Sequence, residues 1–192
     1  SGIRLGQSVQ GAVDRMDLGS AWRNINPPVS WSRGVIVNKE GQRYTNEMVY
    51  GANLGKAMCE DNEGKGYVIL DKKLCKESWK QIMPGKVLAF QRNPALLGML
   101  FGSNKAKTLE ELAKKANMEP SILIDQVQRY NSDISEGSED QYGKAQKDCV
   151  PIEEGPFYAI DISVDSPYVP CPVITLGGLV INEETGNVKN ND

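Results

Sequence analysis

The run Gly34-Val35-Ile36-Val37-Asn38-Lys39-Glu40-Gly41-Gln42-Arg43-Tyr44-Thr45-Asn46-Glu47 decides how the rest of the chain is read. Its two ends, 34–37 and 43–45, have strand character, and Lys39-Glu40-Gly41-Gln42 between them has turn character, so a hairpin is predicted. A helix follows from Glu47 to Met58, with Leu54 and Met58 at i, i+4 spacing on one face. Tyr67-Val68-Ile69-Leu70 reads as a short buried strand and Asp71 to Trp79 as a helix.

Upstream, Leu5, Val9, Ala12, Val13 and Met16 fall on one helical face. Gly6 and Gly11 weaken that helix, which suggests close packing against something flat. An Asn- and Pro-rich loop, Asn24-Ile25-Asn26-Pro27-Pro28, separates it from the hairpin. Downstream, Thr108 and Glu111 form a capping box ahead of an apolar stripe, Leu109, Leu112, Ala113 and Ala116. Pro120 opens a further helix in which Leu123, Val127 and Tyr130 share a face. The polar stretch from Asn131 to Lys147 reads as a surface loop. Strand character returns in Tyr158-Ala159-Ile160-Asp161-Ile162 and from Val173 to Ile181. The order helix, strands, helices, strands is an α+β layout with a helical middle.

Composition narrows the function classes. The chain has 192 residues and a net charge of −3, with no Lys/Arg stripe, so no nucleic-acid partner is expected. No apolar run approaches the roughly 20 residues of a membrane span. Cys59, Cys75, Cys149 and Cys171 are irregularly spaced, which fits free thiols, and a reducing compartment such as the cytoplasm, better than disulfides or a zinc site. No metal ligand set is expected. The chain contains no histidine, so acid–base chemistry must come from Tyr, Glu, Asp, Lys, Arg or Cys.

Four segments together resemble the flavoproteins related to fumarate reductase and the 3-ketosteroid dehydrogenases. Gly2-Ile3-Arg4-Leu5-Gly6-Gln7-Ser8-Val9 is similar to the family's "GDGIRLGQ" helix start beside the flavin. The 34–47 hairpin resembles the "ilVN.eGkRFvNE" run that opens the capping domain. Thr108 through Arg129-Tyr130-Asn131 is similar to the paired cap helices ending in "RYN". Gly155-Pro156-Phe157-Tyr158-Ala159 through Thr175-Leu176-Gly177-Gly178 resembles the "GPFYA…T.GG" return to the flavin domain.

The resemblance implies residues 1–30 as a segment of the FAD-binding domain, 31–150 as the capping, substrate-covering domain, and 151–192 as return strands. It implies FAD as cofactor, approached by Gly2, Thr175, Leu176, Gly177 and Gly178. The G-x-G-x-x-G fingerprint that holds the pyrophosphate does not occur here. Both ends therefore read as cut, with flavin held mainly by parts outside this sequence, and the absent FAD-binding domain as one partner.

Fumarate reductases carry a His before "TMGG" and an Arg soon after "NE" to hold a dicarboxylate. Here Ile174 precedes Thr175, and Met48-Val49-Tyr50-Gly51 follows Asn46-Glu47. Cys75 stands, by spacing after Asp71, where the cap Arg that donates a proton would be. Tyr50 instead resembles the cap tyrosine of the ketosteroid dehydrogenases. The resemblance thus implies oxidation or reduction of a C–C bond beside a carbonyl of a small molecule, ketosteroid-like or a smaller enone. Tyr50 would work in proton transfer, with Glu47 and Tyr168 as further catalytic candidates. Glu47 has a second reading, pairing with Arg43 or capping the next helix, and Tyr168 a second reading as loop packing. Two other functions stay open: reduction of an unsaturated carboxylic acid, with Arg23 or Arg92 holding the carboxylate, and a module with no activity of its own.

Overall fold

The computed structural model describes residues 2–190. In chain order, α1 (Gly2–Ser8), β1 (Val13–Asp14) and β2 (Gly19–Ala21) precede α2 (Val29–Arg33), β3 (Val35–Val37) and α3 (Gly51–Asp61). Then come β4 (Tyr67–Leu70), α4 (Lys72–Gln81), α5 (Ala89–Phe101) and β5 (Ser103–Ala106). The last elements are α6 (Leu109–Lys115), α7 (Pro120–Glu136), β6 (Phe157–Asp161), β7 (Val173–Thr175) and β8 (Gly178–Leu179). They form two compact units. A central unit runs from Trp22 to Pro172, and a terminal unit combines the chain up to Ala21 with the chain from Val173.

In the central unit, Val35-Ile36-Val37 forms the edge of a four-stranded antiparallel sheet ordered β3-β4-β6-β5. Ile36 pairs with Val68, Val68 with Ile160, and Ile160 with Ser103. The uninterrupted apolar runs of β3 and β4 are buried, as are Leu54 and Met58 of α3 and Leu123, Val127 and Tyr130 of α7. Asp71 caps α4 by accepting the Leu74 N–H at 2.8 Å, and Thr108 caps α6 by accepting the Glu111 N–H at 3.2 Å.

In the terminal unit β1 pairs with β8 and β2 with β7, both antiparallel. α1 packs so closely on β8 that a Cβ at Gly6 would lie 2.4 Å from the Leu179 side chain. That bears on the expected helix from Leu5 to Met16, which stops at Ser8. The Gly11 N–H turns back to the Gly6 carbonyl at 2.9 Å, and Val13 joins a strand pair instead. Leu5 and Val9 are exposed.

Other expectations are corrected in the central unit. The returning strand of the hairpin shrinks to one bridge, Val37 to Arg43, because the Arg43 side chain turns inward to carboxylates. α3 starts at Gly51 rather than Glu47, since the Glu47 carboxylate is engaged elsewhere and Asn46 closes a turn on the Met48 N–H. α7 runs on through Asn131 to Glu136, ending at Gly137 in the left-handed region with φ 67°. The stretch to Lys147 is not wholly surface, because Asp140 and Lys144 are buried. Finally, β6 lies between β4 and β5, and residues 151–172 fall in the central unit, not with the chain from Val173 onward.

Candidate active site

Tyr50 and Glu47 lie three residues apart on one loop and have opposite environments. Tyr50 is the residue before the first turn of α3, 60% exposed, and its hydroxyl has no hydrogen-bond partner among the described residues. Its ring meets the edge of Trp22 at a centroid distance of 5.0 Å and an interplanar angle of 73°. The backbone is held too: the Arg23 N–H donates to the Gly51 carbonyl at 3.0 Å. A Cβ at Gly51 would fall 2.1 Å from Asn24 Oδ1, so a larger residue there would push the Asn24 side chain aside.

Glu47 is fully buried in an ionic cluster. Its Oε1 accepts the Ile36 N–H at 3.0 Å and Arg43 Nε at 2.8 Å, and its Oε2 accepts Arg43 Nη2 at 2.9 Å. Lys144 Nζ stands 3.2 Å from Oε2 and donates to the Gly34 carbonyl at 2.7 Å. Arg43 also donates Nη1 to Asp140 at 2.5 Å and Nη2 at 3.1 Å, a second two-pronged pair. Its guanidinium lies between the rings of Tyr130 and Tyr142, 4.9 and 5.2 Å from their centroids.

Burial works against each of these charges, and the outcome differs with the partners. For Arg43 the carboxylates of Glu47 and Asp140 outweigh burial and hold the guanidinium above its ordinary value. For Asp140, Arg43 and two backbone N–H donors outweigh burial and hold the carboxyl low. For Lys144 burial wins, and the ammonium is pushed down despite Glu47. The cluster ties the hairpin to the loop after α7. Nothing in the sequence pattern marks Asp140 or Lys144, which lie in a polar stretch.

Tyr168 is half-buried, its ring tilted against Phe101 at 6.1 Å. Its loop is fastened by Arg23, whose guanidinium donates to the carbonyls of Val169 and Ser163 at 2.8 Å each. Arg23 is buried and held below its ordinary value by that burial. Beside this loop lies a cleft of about 210 Å³, lined by Asn24, Asn26, Phe90, Pro94, Val169 and Pro170 among others. Cys75 is buried under a different cleft with Trp79, Lys105 and Tyr158, and burial pushes its thiol up.

Gly2, Thr175, Leu176, Gly177 and Gly178 all belong to the terminal unit. A Cβ at Gly177 would lie 2.5 Å from the Arg15 carbonyl oxygen and from Met16 Cα, so this glycine is required by the chain's own packing. Gly178 and Gly2 differ: a Cβ there would meet nothing within 4 Å. Thr175 and Leu176 are exposed. Of the two adjacent glycines, Gly178 alone faces open space.

The chain matches the FAD binding domain family over residues 28–192. It belongs to that family, whose cofactor is FAD, and the resemblance carried by the four segments is borne out. The 3-oxo-5-alpha-steroid 4-dehydrogenase of Comamonas testosteroni is 40% identical over 188 residues, covering 98% of this chain and 36% of that protein. The NADH:fumarate oxidoreductase of Klebsiella pneumoniae (strain 342) is 26% identical over 171 residues, 88% of this chain and 16% of that protein. Among solved structures, the 3-ketosteroid-delta4-(5alpha)-dehydrogenase of Rhodococcus jostii RHA1 superposes with a TM-score of 0.76 at 24% identity, covering 98% of this chain and 35% of that one. The chain thus spans about a third or less of these relatives. No helix among the described residues is long and apolar enough to cross a membrane.

Proposed function

We propose that the chain is the substrate-covering part of an FAD-dependent oxidoreductase, together with short segments of its flavin domain. The reaction is dehydrogenation, or the reverse reduction, of a C–C bond adjacent to a carbonyl in a ketosteroid-like or smaller enone. In this reading the central unit is the cap and the terminal unit belongs to the flavin domain. The exposed Leu5, Val9 and Leu176 of the terminal unit fit that division, as apolar surface left for the rest of such a domain.

The observation that carries the reading is the contrast between Tyr50 and Glu47. Tyr50 presents a free hydroxyl on a rigid loop end, buttressed by Trp22. Such a group can take or return the proton at the carbon beside the carbonyl. Glu47 spends its oxygens on Arg43, Lys144 and Ile36, so its role is to fix the loop that carries Tyr50. Tyr168 is the second hydroxyl candidate; its neighbour Val169, held by Arg23, lines the apolar cleft that would take the substrate body. FAD, bound along Thr175, Leu176, Gly177, Gly178 and Gly2, would supply the hydride chemistry. Backbone N–H groups at 177–178 could polarise the carbonyl oxygen.

A carboxylate substrate finds less support. Arg23 commits its guanidinium to backbone carbonyls and is buried, which leaves Arg92 as the remaining candidate of the two. Tyr50→Phe in the full-length protein is the test: turnover should fall about a hundredfold or more, with FAD content unchanged. Unchanged turnover would remove Tyr50 from the mechanism.

A further inference from the structure

Two sets of apolar side chains are exposed, and the charges around them differ. In the terminal unit Leu5, Val9 and Ile181 stand among residues of both signs, such as Arg4, Asp14 and Glu183. In the central unit the exposed set runs from the end of α4 along the outer stripe of α5. Met83 is 57% exposed, Leu88 63%, Phe90 72% and Phe101 64%, with Leu97 and Leu100 also open. Phe90, Leu97 and Phe101 share one face of α5, while Ala95, Gly98 and Met99 face the core. A helix apolar on both faces has something other than water against its outer face.

The charges indicate what that is. Residues 72–107 carry eight Lys and Arg against a single acidic residue, in a chain whose net charge is −3. That one acid, Glu77, is already engaged by Arg33 at 3.3 Å. Lys80 and Lys86 alternate with Trp79, Met83 and Leu88 along the chain, are exposed, and have no carboxylate partner among the described residues. A second copy docking through this same face would bring the same positive field and be repelled. Exposed apolar side chains interleaved with unpaired cations match an anionic bilayer surface, where apolar groups enter the headgroup–acyl boundary and lysines meet phosphates.

We propose that this face docks on lipid bilayers bearing anionic headgroups, with Met83 and Leu88 inserted and Lys80 and Lys86 on the phosphates. Phe90 links this face to the 210 Å³ cleft it also lines, so docking would set the mouth of that cleft against the bilayer. The proposal goes beyond the assigned reaction and does not depend on it.

Vesicle co-sedimentation with the full-length, FAD-loaded protein tests it without measuring turnover. Vesicles of phosphatidylcholine alone are compared with vesicles containing about a quarter phosphatidylglycerol. The protein should bind the anionic vesicles, release at high salt, and largely ignore the neutral ones. Lys80→Glu/Lys86→Glu and, separately, Met83→Ser/Leu88→Ser should each weaken binding roughly tenfold or more while FAD content and turnover of a soluble substrate stay the same. Absence of binding to anionic vesicles, equal binding to both kinds, or variants that bind like wild type would each overturn it. So would loss of FAD or a lowered melting temperature in Met83→Ser/Leu88→Ser, because that places the face inside the folded protein.

Discussion

At the scale of single residues, Glu47 and Tyr50 show what a motif can and cannot tell. The Arg43-Tyr44-Thr45-Asn46-Glu47 run reads equally well as chemistry or as scaffolding. Only coordinates show Glu47 between two buried cations. A buried ion pair adds little net stability over an apolar substitute, but breaking one leaves an uncompensated charge. Glu47→Gln leaves Arg43 with Asp140 alone and Lys144 without a carboxylate. We expect it to cost about 3–5 kcal/mol in denaturant unfolding of the full-length protein. A loss below about 1 kcal/mol would show that the cluster is not what holds the loop.

At the scale of elements, strong local signals were readable and balanced ones were not. The Lys39–Gln42 turn, β4, and the caps at Asp71 and Thr108 follow from turn and capping chemistry, which needs only neighbouring residues. α5 carries no periodic contrast in the sequence, because Pro94 lies inside it and both of its faces are apolar. The apolar spacing of the first helix continues into β1, whose state is set by pairing with β8, a partner more than 160 residues away, so spacing alone predicts too long a helix. At the start of β8 the adjacent glycines Gly177 and Gly178 also separate into two roles. Gly177→Ala must push against the Arg15–Met16 backbone and should cost about 1–3 kcal/mol of stability. Gly178→Ala should stay within about 0.5 kcal/mol and instead weaken FAD retention in the full-length protein. Full FAD retention in Gly178→Ala would place the flavin away from this strand end.

At the scale of the whole molecule, family was legible because four separated segments keep one order across nearly the whole chain. Unit boundaries were less so, since β6 is central to the sheet while the sequence around it resembles a return segment. In the proposed function, the lack of histidine in this chain and the open hydroxyl of Tyr50 favour a ketone over a fumarate-like acid. The most direct measurement follows the flavin absorbance of the full-length, FAD-loaded protein with a 3-ketosteroid, fumarate, urocanate and a cinnamate-like acid in turn. Bleaching or recovery of the flavin with the ketosteroid, and none with the acids, is the predicted result. Turnover of an acid with no response to the ketone would contradict the account.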